Sequence, residues 1–258
     1  MRLLFRHERD RGAVRRFPGR ELATLLEDII PADHAGQMIA ENYIGADIGR
    51  PSGRAWRVLD VGCGPGFSLD VFRMRDPEVD WVGLDLPDSP EVRTRKRTDA
   101  HFENFDGVTI PFEDEQFDTV YCKQVLEHAR RPVPLLREIR RVLAPDGVLA
   151  GSTSQLEPFH SLSLWNYTPL GFAELVAEAG LTLLEVRPAV DVFTLLAWRL
   201  IGSRQCFTRW WRGQSPFNRA IDAVGRVRGL GPRELNATKL VFCAQFTFLA
   251  RRSATVGG

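Results

Sequence analysis

Between residues 56 and 186, short apolar segments alternate with segments of helical periodicity. This alternation is typical of an α/β protein built on a parallel, doubly wound sheet. Ligands of such sheets bind beyond the carboxyl ends of the strands, near the point where the strand order reverses. We therefore expect functional residues in the turns after Val61, Leu84, Phe105 and Val120. The predicted strands are 57–61, 81–84, 101–105, 117–122, 148–152 and 181–186, with 239–250 as the seventh.

The rest of the chain is predicted to be helical and to flank this core. Residues 1–55 have the pattern of an N-terminal helical cap. Residues 187–236 form a predicted helical insertion or lid, in which aromatic side chains are mixed with arginines. The predicted core then comprises residues 56–186 and 237–252.

Two helices are predicted in the N-terminal cap, over residues 21–30 and 36–44, from the spacing of their apolar side chains. The stretch 87–97, between the second and third strands, has Val92 as its only apolar residue other than proline. A helix needs an apolar face to pack against a sheet. We therefore expect 87–97 to be a loop or an exposed turn.

Composition excludes several classes of protein. The 258 residues include 34 basic and 33 acidic side chains, so the formal net charge of +1 predicts no general attraction to nucleic acid. The four cysteines are scattered without metal-ligand spacing, and we expect reduced thiols and no metal. The longest apolar stretch, 192–201, contains Arg199 and is too short to cross a membrane. The sequence predicts a cytoplasmic protein without a transmembrane segment.

A glycine-rich turn follows the first strand in the order Asp60-Val61-Gly62-Cys63-Gly64-Pro65-Gly66-Phe67. Its GxGxG spacing differs from the GxGxxG of dinucleotide enzymes. Three carboxylates, Asp60, Asp85 and Asp106, stand at the ends of successive strands. They would repel a pyrophosphate, but they would attract the sulfonium and ammonium groups of S-adenosylmethionine. The charges therefore predict S-adenosylmethionine as the cofactor.

The same positions predict contacts along the cofactor. Asp85 is placed to accept from both ribose hydroxyls. Asp106 is placed to accept from the adenine amino group, and Phe112 offers an aromatic wall for the ring.

Four motifs occur in order, VLDVGCGPG, GLDL, DGVTIPFEDEQFDTVYCKQVLEH and REIRRVLAPDGVL. Together they resemble the motifs of class I S-adenosylmethionine-dependent methyltransferases, in particular the broad group similar to ubiquinone/menaquinone C-methyltransferases. The resemblance covers residues 56–186 and implies a Rossmann-like, seven-stranded sheet whose last strand is antiparallel. It implies a cofactor site made by Asp60, Gly62, Cys63, Gly64, Gly66, Phe67, Asp85, Leu86, Asp106, Gly107, Phe112 and the backbone of Lys123.

The loop after the fifth strand, 155–169, contains the candidate catalytic residues. His160 is the candidate general base, because its unperturbed pKa is near neutral. Glu157 or Tyr167 would orient it. The alternative is that these three side chains only hold the loop together. Glu127-His128 matches a motif of the same family, and here capping or packing is favoured over proton transfer.

The acceptor is predicted to be a small molecule, a natural product or a glycan, free or carrier-linked, methylated at oxygen. Methylation at carbon or nitrogen of a quinone-like or lipid-linked acceptor is the alternative, and a non-catalytic cofactor-binding protein is a third reading. Cys122-Lys123-Gln124 lacks the Asn/Asp-Pro-Pro-Tyr motif of enzymes that methylate exocyclic amines in DNA. The aromatic and arginine-rich segment 198–212 predicts core or homodimer packing, with peripheral membrane contact as the alternative.

Overall fold

The computed structural model describes residues 18–158, 161–202 and 205–253. Within these ranges, seven strands form one sheet in the order β3-β2-β1-β4-β5-β7-β6. The first six strands are parallel, and β7 runs antiparallel to both of its neighbours, β5 and β6. The strands are β1 (Arg57–Val61), β2 (Asp80–Asp85), β3 (His101–Asn104), β4 (Phe117–Lys123), β5 (Leu143–Ser154), β6 (Leu181–Pro188) and β7 (Gln245–Arg252).

The strand order reverses between β1 and β4. The chain runs outward from β1 through β2 to β3, and then returns to place β4 on the other side of β1. In doubly wound sheets this reversal opens a crevice at the carboxyl ends of the two strands. The predicted fold class, a Rossmann-like sheet with an antiparallel last strand, is confirmed.

Helices cover both faces of the sheet. Neighbouring residues of β1 point to opposite faces, and Val58 and Leu59 are both fully buried there, each in a separate apolar cluster. The helices are α1 (Arg20–Leu25), α2 (Glu41–Gly45), α3 (Ser68–Arg75), α4 (Pro90–Arg93), α5 (Pro132–Val142), α6 (Pro169–Glu178), α7 (Val192–Leu200), α8 (Arg209–Arg212), α9 (Pro216–Val227) and α10 (Pro232–Phe242).

The N-terminal helices are shorter than predicted. The helix predicted over 21–30 ends at Leu25, and the one predicted over 36–44 is confined to α2. The intervening backbone bonds to other elements instead of to itself. Val186 N donates to Ile29 O at 2.8 Å, and Met38 N donates to Pro188 O at 2.9 Å. These bonds attach the N-terminal segment to the end of β6.

The prediction of a strand over 239–250 is wrong in its first part. Residues up to Phe242 belong to α10, and β7 begins at Gln245. Lys239 lies fully buried in this helix, where its ammonium group is 2.6 Å from Asp222 and also donates to Ala35 O. The apolar run fits a buried helix as well as a strand, and tertiary contacts decide between them.

The segment 187–236 contains α7, α8, α9 and the start of α10, as the helical pattern predicted. It packs with the N-terminal segment, because Gln37 Nε2 donates to Trp210 O at 2.5 Å and Asn236 Nδ2 donates to His34 O at 2.7 Å. That residues 187–236 form a separate insertion or lid stays a prediction. No helix in the described part of the chain is long and apolar enough to cross a membrane.

Candidate functional site

The glycine-rich turn joins the carboxyl ends of β1 and β2. Gly62 N donates to Leu84 O at 2.7 Å, and Gly64 N donates to Oδ2 of Asp85 at 2.7 Å. Gly62 has φ +69°, and a Cβ at this position would overlap Cγ2 of Val125. Only glycine therefore fits at this first position of the turn.

Asp85 ends β2 and is buried against this turn. Its Oδ2 accepts from Gly64 N, and its Oδ1 accepts from Leu86 N, also at 2.7 Å. Each carboxylate oxygen has a second lone pair that can accept from a ligand hydroxyl. Asp85 thus fixes the turn and keeps acceptor capacity for the predicted ribose contact, while Leu86 beside it is exposed.

Asp60, near the end of β1, is buried on the side of the sheet that faces α3. It accepts from the hydroxyl of Ser68, which in turn accepts from Trp81 Nε1 at 3.1 Å. Burial, together with a smaller effect of the neighbouring Asp85, raises the pKa of Asp60 to about 7. A cation beside Asp60 would lower this pKa, so the position favours a positively charged ligand.

The predicted adenine side lies after β3. Asp106 is exposed, and its Oδ1 accepts from Val108 N at 2.8 Å and from Thr109 N at 2.6 Å, bonds that lower the pKa of its carboxyl group. Gly107 follows with φ +88°. Phe112 packs edge-to-face on Phe117 with 5.1 Å between ring centroids. The adenine contacts of Asp106, Gly107 and Phe112 stay predictions.

Arg95 lies against the glycine-rich turn. The sequence spacing did not indicate this contact. Its Nε donates to Gly64 O at 2.9 Å, its Nη2 lies 3.4 Å from Cys63 Sγ, and its guanidinium stacks 3.8 Å from the centre of the Phe102 ring. The stretch 87–97 was predicted to be a loop or exposed turn, and it contains the single-turn helix α4 with no buried residue. Arg95 of this stretch nevertheless packs on the turn.

The remaining turn residues differ in exposure. Cys63 is buried, and this burial raises the pKa of its thiol. In contrast, the side chain of Phe67 at the start of α3 is 72% exposed. A Cβ on Gly66 would lie 3.0 Å from the ring of Phe102 in β3. The absence of a side chain at Gly66 therefore leaves room for this ring. Lys123 ends β4, and its ammonium group forms an ion pair with Glu41 of α2.

Of the candidate catalytic residues, His160 lies outside the described residues. Glu157 is buried and accepts from Arg199 Nη2 at 2.7 Å, Gln245 Nε2 at 2.6 Å and Ser154 Oγ at 3.0 Å. The Tyr167 hydroxyl donates to Leu126 O at 2.9 Å. These bonds fit the alternative in which Glu157 and Tyr167 hold the loop, and the catalytic roles stay predictions.

Glu127 is fully buried beneath the same loop. It accepts from Thr153 Oγ1 at 3.0 Å, and Ser154 Oγ lies 3.1 Å from its Oε1. Ser154 therefore contacts the carboxyl groups of both Glu127 and Glu157, but it has a single proton to donate. Burial raises the pKa of Glu127 to about 7, so near neutral pH Glu127 itself supplies the second proton. Packing, the reading favoured from the sequence, fits this position.

The residues around the turn fit the predicted cofactor. Asp60 and Asp85 are buried carboxylates at adjacent strand ends, and the glycine-rich turn lies between them. Arg95, the cation that meets the turn, is directed to the carbonyl of Gly64 and the thiol of Cys63. The turn thus combines negative charge with close backbone approach, as a ligand with a sulfonium and an ammonium group requires.

Comparisons with known proteins show what this chain is similar to. Residues 59–151 match the family model described as a methyltransferase domain. An uncharacterized methyltransferase of Mycobacterium sp. (strain JLS) is 35% identical over 141 residues, which are 53% of this chain and 54% of that protein. This chain therefore spans about half the length of that relative. An uncharacterized methyltransferase of Mycobacterium tuberculosis is 32% identical over 187 residues, which are 69% of this chain and 66% of that protein.

Among solved structures, a putative sarcosine dimethylglycine methyltransferase from Galdieria sulphuraria superposes with a TM-score of 0.53. The match has 17% sequence identity and covers 84% of this chain and 85% of that one. At this identity the likeness shows the fold alone.

Proposed function

Because this chain belongs to the class I S-adenosylmethionine-dependent methyltransferases, we propose that it transfers a methyl group from S-adenosylmethionine to an oxygen of a small-molecule, natural-product or glycan acceptor. The observation that carries the proposal is the position of Asp60 and Asp85, two buried carboxylates on either side of the glycine-rich turn. When bound, the cofactor supplies an electrophilic methyl group on a sulfonium.

The residues of the chain would act chiefly by positioning. Asp85 would accept from the ribose hydroxyls, while the backbone of the turn from Gly62 to Gly66 approaches the ligand closely. In-line displacement at a methyl group depends on holding donor and acceptor in reach, and positioning alone supplies much of such a rate enhancement. Asp106, Gly107 and Phe112 would hold the adenine.

The loop after β5 supports an acceptor site beside the cofactor. His160 would take the proton of an acceptor hydroxyl, and Glu157 in the same loop would orient it. Arg199 and Gln245 both donate to Glu157 and hold its carboxyl group in place, which suits an orienting group. Leu162, Leu164 and Trp165 are exposed and give the continuation of this loop an apolar surface.

A second candidate is a lipid-linked or quinone-like acceptor methylated at carbon or nitrogen. Phe193, Leu196 and Leu200 are exposed on α7, the helix that Arg199 ties to the loop after β5. An exposed apolar helix that contacts this loop would suit a long apolar substrate or peripheral membrane contact. Homodimer contact and a cytoplasmic location stay predictions from the sequence.

The proposal is tested by following methyl transfer from labelled S-adenosylmethionine to a panel of phenols, glycans, amines and quinols. We expect labelled product from hydroxyl acceptors in the wild type and none in Asp85→Ala. The exposed Asp88→Ala, three residues further along, is the matched control and should retain turnover. Product from amines or quinols alone would overturn the oxygen assignment. Cofactor binding without product from any acceptor would favour the non-catalytic reading.

A further inference from the structure

The ion pair between Glu41 and Lys123 joins α2 to the carboxyl end of β4. Lys123 is 43% exposed and Glu41 is 26% exposed, so a ligand in the crevice can reach both side chains. Lys123 lies one residue beyond Cys122 at the point where the strand order reverses. The pair therefore occupies the place where doubly wound sheets bind their ligands.

Two buried polar atoms at this place have no hydrogen-bond partner among the described residues. One is Oε2 of Glu41, the second oxygen of the paired carboxylate, and the other is the hydroxyl of Tyr121. Tyr121 is 2% exposed, and leaving a buried polar group unpaired costs free energy unless a ligand or water satisfies it. Such atoms in a ligand-binding crevice indicate a polar ligand.

Tyr121 faces the same side of the sheet as Lys123, because the two are separated by one residue in β4. In the register of the two central strands, Tyr121 pairs with Asp60 of β1. Burial raises the pKa of the Tyr121 hydroxyl, and the nearby carboxylates of Glu41 and Asp60 raise it further. The hydroxyl thus stays protonated, and it can donate one hydrogen bond and accept others.

We propose that Glu41 and Lys123 hold the amino-acid end of the cofactor, with the Tyr121 hydroxyl completing the site. Glu41 accepts from the α-ammonium group, and Lys123 faces the α-carboxylate. This inference rests on the proposed function, because it names the residues that recognise one end of that cofactor. Glu41 belongs to the N-terminal segment, outside the motifs on which the resemblance is based.

The balance of charge favours a zwitterion at this position. Glu41, Asp60 and Asp85 are acidic, and Lys123 at the end of β4 is the cation paired with Glu41. A ligand with adjacent ammonium and carboxylate groups exchanges the ion pair between Glu41 and Lys123 for two charge-assisted bonds to itself. The ammonium group also offers further donors, which suit the unpaired Oε2 of Glu41 and the carboxyl group of Asp60.

Calorimetry with two nucleosides tests the inference. S-adenosylhomocysteine has the amino-acid end, whereas 5′-methylthioadenosine keeps the adenosine and thioether without it. Glu41→Gln should weaken S-adenosylhomocysteine binding by roughly tenfold or more, the usual effect of losing a charged hydrogen-bond partner. Its affinity for 5′-methylthioadenosine should stay within about twofold of the wild type.

Two further variants keep the test independent of how well Glu41→Gln folds. Lys123→Met should also weaken only the zwitterionic ligand. Tyr121→Phe removes a buried hydroxyl without changing the shape of the ring, and it should lower the affinity for S-adenosylhomocysteine while the unliganded protein stays at least as stable. Glu178→Gln is the matched control, since Glu178 forms an exposed ion pair with Arg137 on α5 and should change neither affinity.

The outcomes separate this inference from the proposed function. If the wild type binds 5′-methylthioadenosine and the ratio of the two affinities is the same in all variants, the inference is wrong and the cofactor assignment stands. If the wild type binds neither nucleoside, the proposed function fails, and the inference fails with it.

Discussion

The backbone amide of Gly64 donates to Oδ2 of Asp85 at 2.7 Å, so the turn after β1 is fixed by the residue that ends β2. Asp85 therefore has two roles, since it is also the residue predicted to bind the ribose. A change at Asp85 is expected to disturb the turn as well as the ligand contact. Experiments on the site thus need variants that separate the two effects.

Replacing Gly62 by alanine tests the turn itself. Gly62 has φ +69°, and a Cβ would overlap Val125, so Gly62→Ala should lose both binding and stability. Gly53→Ala is the matched control, because Gly53 has φ +77° with nothing within 4 Å of its added Cβ. Left-handed strain alone costs about 1 kcal/mol. Urea unfolding should show that the Gly62 variant loses roughly 1–3 kcal/mol more than the Gly53 variant. Equal losses would contradict the described turn.

Glu127→Gln should flatten the dependence of stability on pH. Burial raises the pKa of Glu127 to about 7 from an ordinary value of 4.5, so the folded protein keeps a proton that the unfolded chain releases. The free energy of unfolding then falls as pH rises through this range and levels off above it.

Glutamine mimics the protonated carboxyl group, because it can donate to Ser154 and accept from Thr153. Relative to the wild type, Glu127→Gln should therefore gain about 3 kcal/mol of stability between pH 4.5 and 8. Urea unfolding at several pH values measures this gain, with the exposed Glu113→Gln as control. Parallel curves for the wild type and Glu127→Gln would show that Glu127 does not titrate as described.

Binding of S-adenosylhomocysteine should tighten as pH rises toward neutrality. Burial raises the pKa of Asp60 to about 7, and the ligand's ammonium group favours the ionised carboxylate. Binding then releases a proton, so affinity rises by up to about tenfold per pH unit below pH 7 and levels off above it. Asp60→Asn should bind more weakly and lack this dependence. Calorimetry in buffers of different ionisation enthalpy counts the released protons, and a wild type that releases none would contradict the assignment.

Arg199→Ala should loosen the contact between α7 and the loop after β5. Arg199 donates to Glu157 at 2.7 Å and to Pro158 O at 3.2 Å, and Glu157 is buried. Removing one partner of a buried charge costs roughly 1–3 kcal/mol in a partly exposed setting. Hydrogen exchange should quicken in residues 155–158 and in α7 but not in α5. Arg137→Ala, which breaks an exposed pair, should leave exchange in both regions unchanged.

The parallel core could be predicted because its strands are buried on both faces. Such strands are nearly continuous apolar runs, and the residues 57–61 and 117–122 stood out for that reason. Asp85 could be placed because it directly follows the apolar run 81–84. The position of Tyr121 could also have been inferred from the sequence. It lies two positions before Lys123 in the same strand, which puts both side chains on one face of the sheet.

The helical layer could not be predicted in detail because distant residues determine it. Lys239 is buried in α10 by Asp222 and by the carbonyl of Ala35, which is far away in the sequence. Glu41 lies in α2, which is shorter than the helix predicted over 36–44, because the backbone before it bonds to the end of β6. One local signal for α10 was present, since Pro232 directly follows Gly231 at the start of the helix.

Calorimetric titration of the wild type and Asp85→Ala with S-adenosylhomocysteine tests the cofactor assignment most directly. We expect micromolar binding by the wild type, a loss of at least about tenfold in Asp85→Ala, and unchanged binding in the exposed Asp88→Ala. Absence of binding by the wild type, or equal affinity in Asp85→Ala, would contradict a cofactor site at the ends of β1 and β2.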